Sequence, residues 1–118
     1  MTAFNPWSYR EDVDLSRGGI DLTGFKVEAT DGKIGKIDEA TYEVGSSYLV
    51  VDTGPWIFGK KVLLPAGTVN NVDVKDGTVY VDRTKDQVKE SPEFHAETYT
   101  DPAYREQVGK YYGGTYGL

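Results

Sequence analysis

Few residues in this 118-residue chain have the chemistry of catalysis or metal binding. There is one histidine, His95, and no cysteine. A chain without cysteine has no thiol nucleophile, no thiolate zinc site and no Cys-held iron–sulfur cluster. His95 stands between Pro92 and the tail, with no second residue at metal-site or nucleophile–base spacing. A structural or solvent-exposed role is expected for it. Glu11, Asp12 and Asp14 offer hard oxygen donors of the kind a divalent cation takes. Their spacing is not that of an EF-hand loop, so a solvated acidic face is the better reading. Asp38–Glu39 and Asp73/Asp76 are the remaining carboxylate pairs. General acid–base work needs a cleft and a raised pKa, and these pairs fall on predicted strand or turn surfaces. The chain is therefore read as not an enzyme, with no catalytic residue, cofactor or metal ligand.

Two segments carry binding chemistry instead. Gly54-Pro55-Trp56-Ile57-Phe58-Gly59 sets three large apolar residues between glycines. Exposed, Trp56, Ile57 and Phe58 form a docking patch. Turned inward, Ile57 and one aromatic plug the mouth of the fold. The second segment is the tail, where Tyr99, Tyr104, Tyr111, Tyr112 and Tyr116 crowd the last 20 residues. Tyrosine suits surfaces that are partly buried and partly wet. Its use is either intramolecular docking of a tail helix or an interface with a partner.

Length and charge set the bounds. A chain of this size suits one domain and buries roughly two-thirds of the surface its unfolded form exposes. The net charge is −6, with 13 Lys and Arg against 19 Asp and Glu. Nucleic-acid binding draws on phosphate neutralisation, and an acidic chain without a basic run is poorly built for it. No apolar stretch approaches the ~18–20 residues of a membrane span. Met1–Arg10 has neither the basic nor the apolar region of a secretory signal. A cytoplasmic setting fits these features.

The elements that would position these segments are short and extended. Phe25–Thr30 reads as a strand, followed by Asp31-Gly32 at the positions of a type I′ turn. Extended structure resumes over Lys33–Val44. Ile37 is out of phase with Ala40, Tyr42 and Val44, which predicts a bulge near Gly35 or Asp38. Tyr48–Val51 is a continuous apolar run, expected to be central and covered on both sides. Val62–Leu64 forms a strand ended by Pro65. Val69–Val74 and Thr78–Asp82 flank a second Asp-Gly turn, with Val72 and Val74 set against Val79 and Val81. Thr84 and Gln87 fit a capping box for a short helix ending before Ser91-Pro92. Asp101-Pro102 can open a further helix, with Tyr104, Val108, Tyr111 and Tyr112 on one face and an end at Gly113-Gly114. Five or six strands in about 60 residues are too few for a sandwich, which needs about 100. The expected fold is all-β: a small, partly open barrel with a short C-terminal helix.

The order of these motifs resembles the PRC-barrel family. Leu22-Thr23-Gly24-Phe25-Lys26-Val27 followed by Asp31-Gly32-Lys33-Ile34-Gly35-Lys36-Ile37 is similar to its opening hairpin. Tyr48–Gly54 is similar to its central apolar strand, and Gly59-Lys60-Lys61-Val62-Leu63-Leu64-Pro65 to its "G-K-x-x-x-x-P" strand. The resemblance implies a docking module, as in the soluble domain of the reaction-centre H subunit and the second domain of a ribosome-maturation factor. Many members are stand-alone bacterial or archaeal proteins. It implies no catalytic residues. On this reading, residues 1–21 are an irregular arm, 22–94 the barrel, and 95–118 a tyrosine-rich tail with a helix at about 102–112. The expected function is non-enzymatic protein–protein docking, most simply as a homodimer. Its contacts are Trp56, Ile57, Phe58, Tyr104, Val108 and Tyr111, with no nucleic acid and no membrane insertion. The alternative is a barrel that binds a small ligand or ion.

Overall fold

The structure, a computed structural model, describes Trp7, Tyr9 and residues 21–41, 47–54 and 61–115. In chain order the elements are β1 (Lys26–Ala29), β2 (Gly32–Ala40), β3 (Tyr48–Asp52), β4 (Lys61–Pro65), a 3-10 turn (Ala66–Thr68), β5 (Val69–Asp73), β6 (Thr78–Val81), α1 (Lys85–Lys89) and α2 (Pro102–Thr115). The strands form one sheet in the order β4-β3-β2-β1-β6-β5. Neighbours are antiparallel except β1 and β6, which run parallel.

Connectivity forces this sheet to curl. Laid flat, six strands would hold the outer two roughly 24 Å apart. Those two, β4 and β5, are joined only by Ala66–Thr68. The four Cα steps from Pro65 to Val69 reach about 15 Å at most. The edges must therefore come together at this corner, while the ladder stays unclosed. This is the partly open barrel that the strand spacing predicts.

The interior follows the strand pattern. Leu49, Val50 and Val51 of β3 are all buried, so both faces of that strand are covered. Val27, Ile34, Ile37, Leu63, Leu64, Val69, Val79 and Val81 complete the barrel core. Burying one such aliphatic side chain is worth about 1.5–3 kcal/mol. Two bulges place the isoleucines. The β1–β2 register slips at Ile34, and the β2–β3 register slips at Asp38. The bulge at Ile34 offsets the pleat by one residue, so that Ile34 and Ile37, three apart, are both buried.

The turns differ in detail from the sequence pattern. The first hairpin turns on Thr30 and Asp31, and Gly32 is already the first residue of β2, paired with Ala29. Asp31 is used elsewhere: its Oδ1 accepts the Lys85 N–H at 2.8 Å, capping α1 from across the chain. The second hairpin turns over Val74–Gly77, so Val74 is exposed rather than paired. Gly77 supplies the positive φ of 68°. Val72 does face Val79.

Both helices have legible boundaries. Thr84 and Gln87 form the reciprocal capping box of α1. The second helix starts at Pro102 as its sequence predicts but continues past Gly113-Gly114 to Thr115. Its last turn is held by the fully buried Tyr112, whose carbonyl is hydrogen-bonded by Arg83.

Candidate functional site

The two ends of β3 are treated differently. At the Tyr48 end, the tail helix packs onto the sheet together with Trp7 and Tyr9. Tyr104, Val108 and Tyr112 enter the core from α2. Tyr104 Oη donates to the Pro92 carbonyl at 3.1 Å, and Tyr111 Oη donates to the Gln87 carbonyl at 2.6 Å. Glu39 on β2 accepts from Tyr48 Oη at 2.9 Å and from Tyr99 Oη at 3.1 Å. The Tyr48 and Tyr99 rings meet edge-on. The Arg105 guanidinium lies 4.6 Å from the Trp7 ring centroid and 5.7 Å from that of Tyr48, within cation–π range. Its buried Nε has no hydrogen-bond acceptor among the described residues.

The arm is fastened at both of its described aromatics. The Trp7 carbonyl accepts the Ser47 N–H, and Tyr9 Oη donates to the Thr41 carbonyl, both at 2.9 Å. The Trp7 indole lies against Gly109 of α2, where an added Cβ would sit 3.0 Å from Nε1. A glycine that weakens the helix as a sequence is thus the seat for a tryptophan.

These phenols are held neutral. Burial, then the hydrogen bond to Glu39, pushes Tyr48 up to about 12. Burial alone accounts for most of the rise of Tyr104 to about 12. Burial also raises Tyr112 above the ordinary tyrosine range.

The Asp52 end of β3 borders a groove among the described residues. This groove, of about 440 Å³, is lined by Lys33, Ile34, Gly35, Lys36, Asp52, Thr53 and Gly54. The β2–β3 pairing ends here at Lys36 and Asp52, and the Asp52 main chain packs onto Gly35, where an added Cβ would lie 2.0 Å from the Asp52 carbonyl oxygen. Lys33 and Lys36 are exposed, while Ile34 and Thr53 form a buried floor. Nearby, Lys61 pairs with Asp38 at 2.6 Å, and that hydrogen bond raises its pKa. Two ammonium groups and one carboxylate thus surround a floor made of one aliphatic and one hydroxyl side chain.

The residues singled out from sequence are distributed as follows. Trp56, Ile57 and Phe58 lie outside the described residues. They belong to the six residues between Gly54 at the groove and Lys61 at the start of β4. Tyr104 and Val108, expected as partner contacts, are turned into the chain's own core, and Tyr111 is half-buried. Tyr104 and Val108 can meet a partner only if α2 leaves the sheet. His95 is exposed, and its nearest ionic neighbour is Glu93 at 3.9 Å. Among the described residues, no group of three His, Asp or Glu is arranged to hold a metal. No described helix is long and apolar enough to cross a membrane. Lys33, Lys36, Arg83 and Arg105 were not singled out from sequence. The signal for the first two was the i, i+3 spacing of Ile34 and Ile37, which brings the flanking lysines to one face.

The PRC-barrel domain model matches residues 17–88. The chain belongs to the PRC-barrel domain family. The PRC-barrel match takes in all six strands and ends within α1, so α2 lies beyond it. An uncharacterised protein of Deinococcus radiodurans is 40% identical over 80 residues, covering 64% of this PRC-barrel chain and 27% of the relative. The chain thus spans well under half of that relative's length. Among solved structures, a protein of Pseudomonas aeruginosa described as a 16S ribosomal RNA processing protein is 30% identical, with a TM-score of 0.46. That match covers 55% of this chain and 42% of the other.

Proposed function

We propose that this PRC-barrel chain is a non-enzymatic protein–protein docking module that associates with a second copy of itself in the cytoplasm. The observation that carries this reading is the contrast between the ends of β3. The Tyr48 end is covered by the chain's own helix and arm, whereas the Asp52 end borders a groove and leads into Trp56, Ile57 and Phe58. In sequence these three follow Gly54, a lining residue of the groove, by two to four positions, and large aromatics are among the residue types that dominate binding energy at interfaces. In this reading those three residues make the contact and Tyr111 adds its exposed edge. Tyr104 and Val108 serve by fixing α2. The net charge of −6 argues against nucleic acid as the partner.

Light scattering over a wide concentration range tests self-association. The expected result is a molar mass that rises with concentration from one chain towards two. A constant single-chain mass removes self-association from the proposal. A second reading has one observation in its favour: the groove volume falls in the usual small-ligand range of about 300–1,000 Å³. Thermal-shift screening with metals and metabolites checks it. A melting temperature that climbs with ligand concentration would favour that class.

A further inference from the structure

We infer that the open edge of β2 at Gly32–Gly35 receives an extended acidic segment of a partner protein, added as a strand beside β2 and held by Lys33 and Lys36. This rests on the docking reading, though not on self-association.

The edge comes from unequal strand lengths. β2 pairs with β1 along Gly32–Lys36, but its pairing with β3 begins only at Lys36. Four residues of β2 therefore have a strand on one side alone among the described residues. β3 cannot simply continue along them, because the chain turns away at Thr53–Gly54, where the Gly54 N–H bonds Asp52 Oδ1 at 2.9 Å. The groove fills the space that a continuing strand would take. Four residues are about 13 Å of strand, enough to pair with a short extended segment.

The bulge at Ile34 sets the charge pattern of this edge. Lys33 lies opposite Glu28 and Lys36 opposite Lys26, and those two β1 residues are only two apart. Lys33 and Lys36 therefore stand roughly 7 Å apart on one face, the spacing of alternate residues in a strand. An acidic residue opposite Lys33 would meet it directly, and the acid next along the same face would reach Lys36 diagonally, because Asp52 holds the position opposite Lys36.

Charge complementarity selects the partner. Among the described residues, Lys26, Lys33 and Lys36 make no ion pair, although the chain carries six more acids than bases. The carboxylates facing them on this surface are Glu28 across the hairpin and Asp52, paired in register with Lys36. Lys26 and Lys36 are direct cross-strand neighbours of like charge, a destabilising arrangement. An acidic strand would relieve it. The alternative use of lysines beside an open edge is to repel unwanted pairing, and it predicts no binding.

The test is fluorescence anisotropy of the full chain with labelled peptides of roughly six residues alternating valine and glutamate. Saturable binding is expected, weakened when salt rises from about 50 to about 500 mM. Lys33→Glu/Lys36→Glu, whose folding is checked by its thermal melt, should lower affinity at least about tenfold. A peptide of equal charge with proline replacing valine should not bind, because proline cannot donate to a ladder. The inference is overturned if the valine–glutamate peptide fails to bind, binds the double variant equally, or is matched by the proline peptide. Light scattering on the same samples keeps the two readings apart. Dimers that bind no peptide overturn this inference and leave docking standing, while monomers that bind it remove only self-association.

Discussion

Arg83 Nη2 donates to the main-chain carbonyl of Tyr112 at 3.0 Å, and both residues are buried. Tyr112 lies in the last turn of α2, where carbonyls have no partner within the helix. A guanidinium placed there satisfies one of them and sets positive charge at the negative end of the helix. The same group holds the Asp82 carboxylate and lies 5.9 Å from the Tyr112 ring centroid. One side chain at the end of β6 thus joins the barrel to its tail helix.

Replacing Arg83 by methionine should cost about 2–4 kcal/mol, since the helix carbonyl and the Asp82 carboxylate both lose a charged donor in a buried site. Arg83→Lys should recover less than half of this, because an ammonium cannot span both acceptors as the planar fork does. Urea unfolding midpoints of the two variants check the order.

Gly109 offers a test whose sign depends on another residue. In an isolated helix, Gly109→Ala gains about 1 kcal/mol. Here the new methyl meets the Trp7 indole at 3.0 Å, so the substitution should destabilise the intact chain by about 1 kcal/mol. In a Trp7→Ala background it should instead stabilise by a similar amount. A double-mutant cycle measured by denaturation reads the coupling directly.

Gly35→Ala should be among the most damaging single changes, at about 3 kcal/mol or more. Its Cβ would meet main-chain atoms of Asp52 and Thr53, which cannot rotate aside. Low soluble yield together with a lowered melting temperature is the expected outcome.

The buried phenols make stability sensitive to alkali. Tyr48 and Tyr104 are raised from 10.0 to about 12 in the folded chain. Unfolded tyrosine loses its proton first, so the stability they contribute is complete below pH 10. It then declines as pH rises towards 12. Alkaline unfolding followed by circular dichroism should fall in that window. In Tyr104→Phe the decline should be shallower.

Much of the barrel is legible in the chain because its signals are local. The apolar run at Leu49–Val51, the proline ending β4 and the capping box at Thr84 each act within a few residues, and each is found where the pattern puts it. The phase break at Ile37 marks a bulge for the same reason. What could not be read is long-range. The parallel pairing of β1 with β6 joins strands separated by residues 30–77. Asp31 looks like turn chemistry, yet it caps a helix more than fifty residues away. Gly109 looks like a helix defect until Trp7 is seen against it. Tyr104 and Val108 are an amphipathic face by spacing, and spacing alone does not say whether that face meets a partner or the chain's own core.

The measurement that tests the docking account most directly is light scattering of the intact chain beside Trp56→Ser/Phe58→Ser, both as dilution series. The account predicts that the parent chain passes from dimer to monomer on dilution. The variant should need at least about tenfold higher concentration to pair, as expected when aromatic anchors are lost, and should keep the parent's melting temperature as a monomer. A parent chain that stays monomeric throughout, or a dimer unchanged by the double substitution, would contradict it.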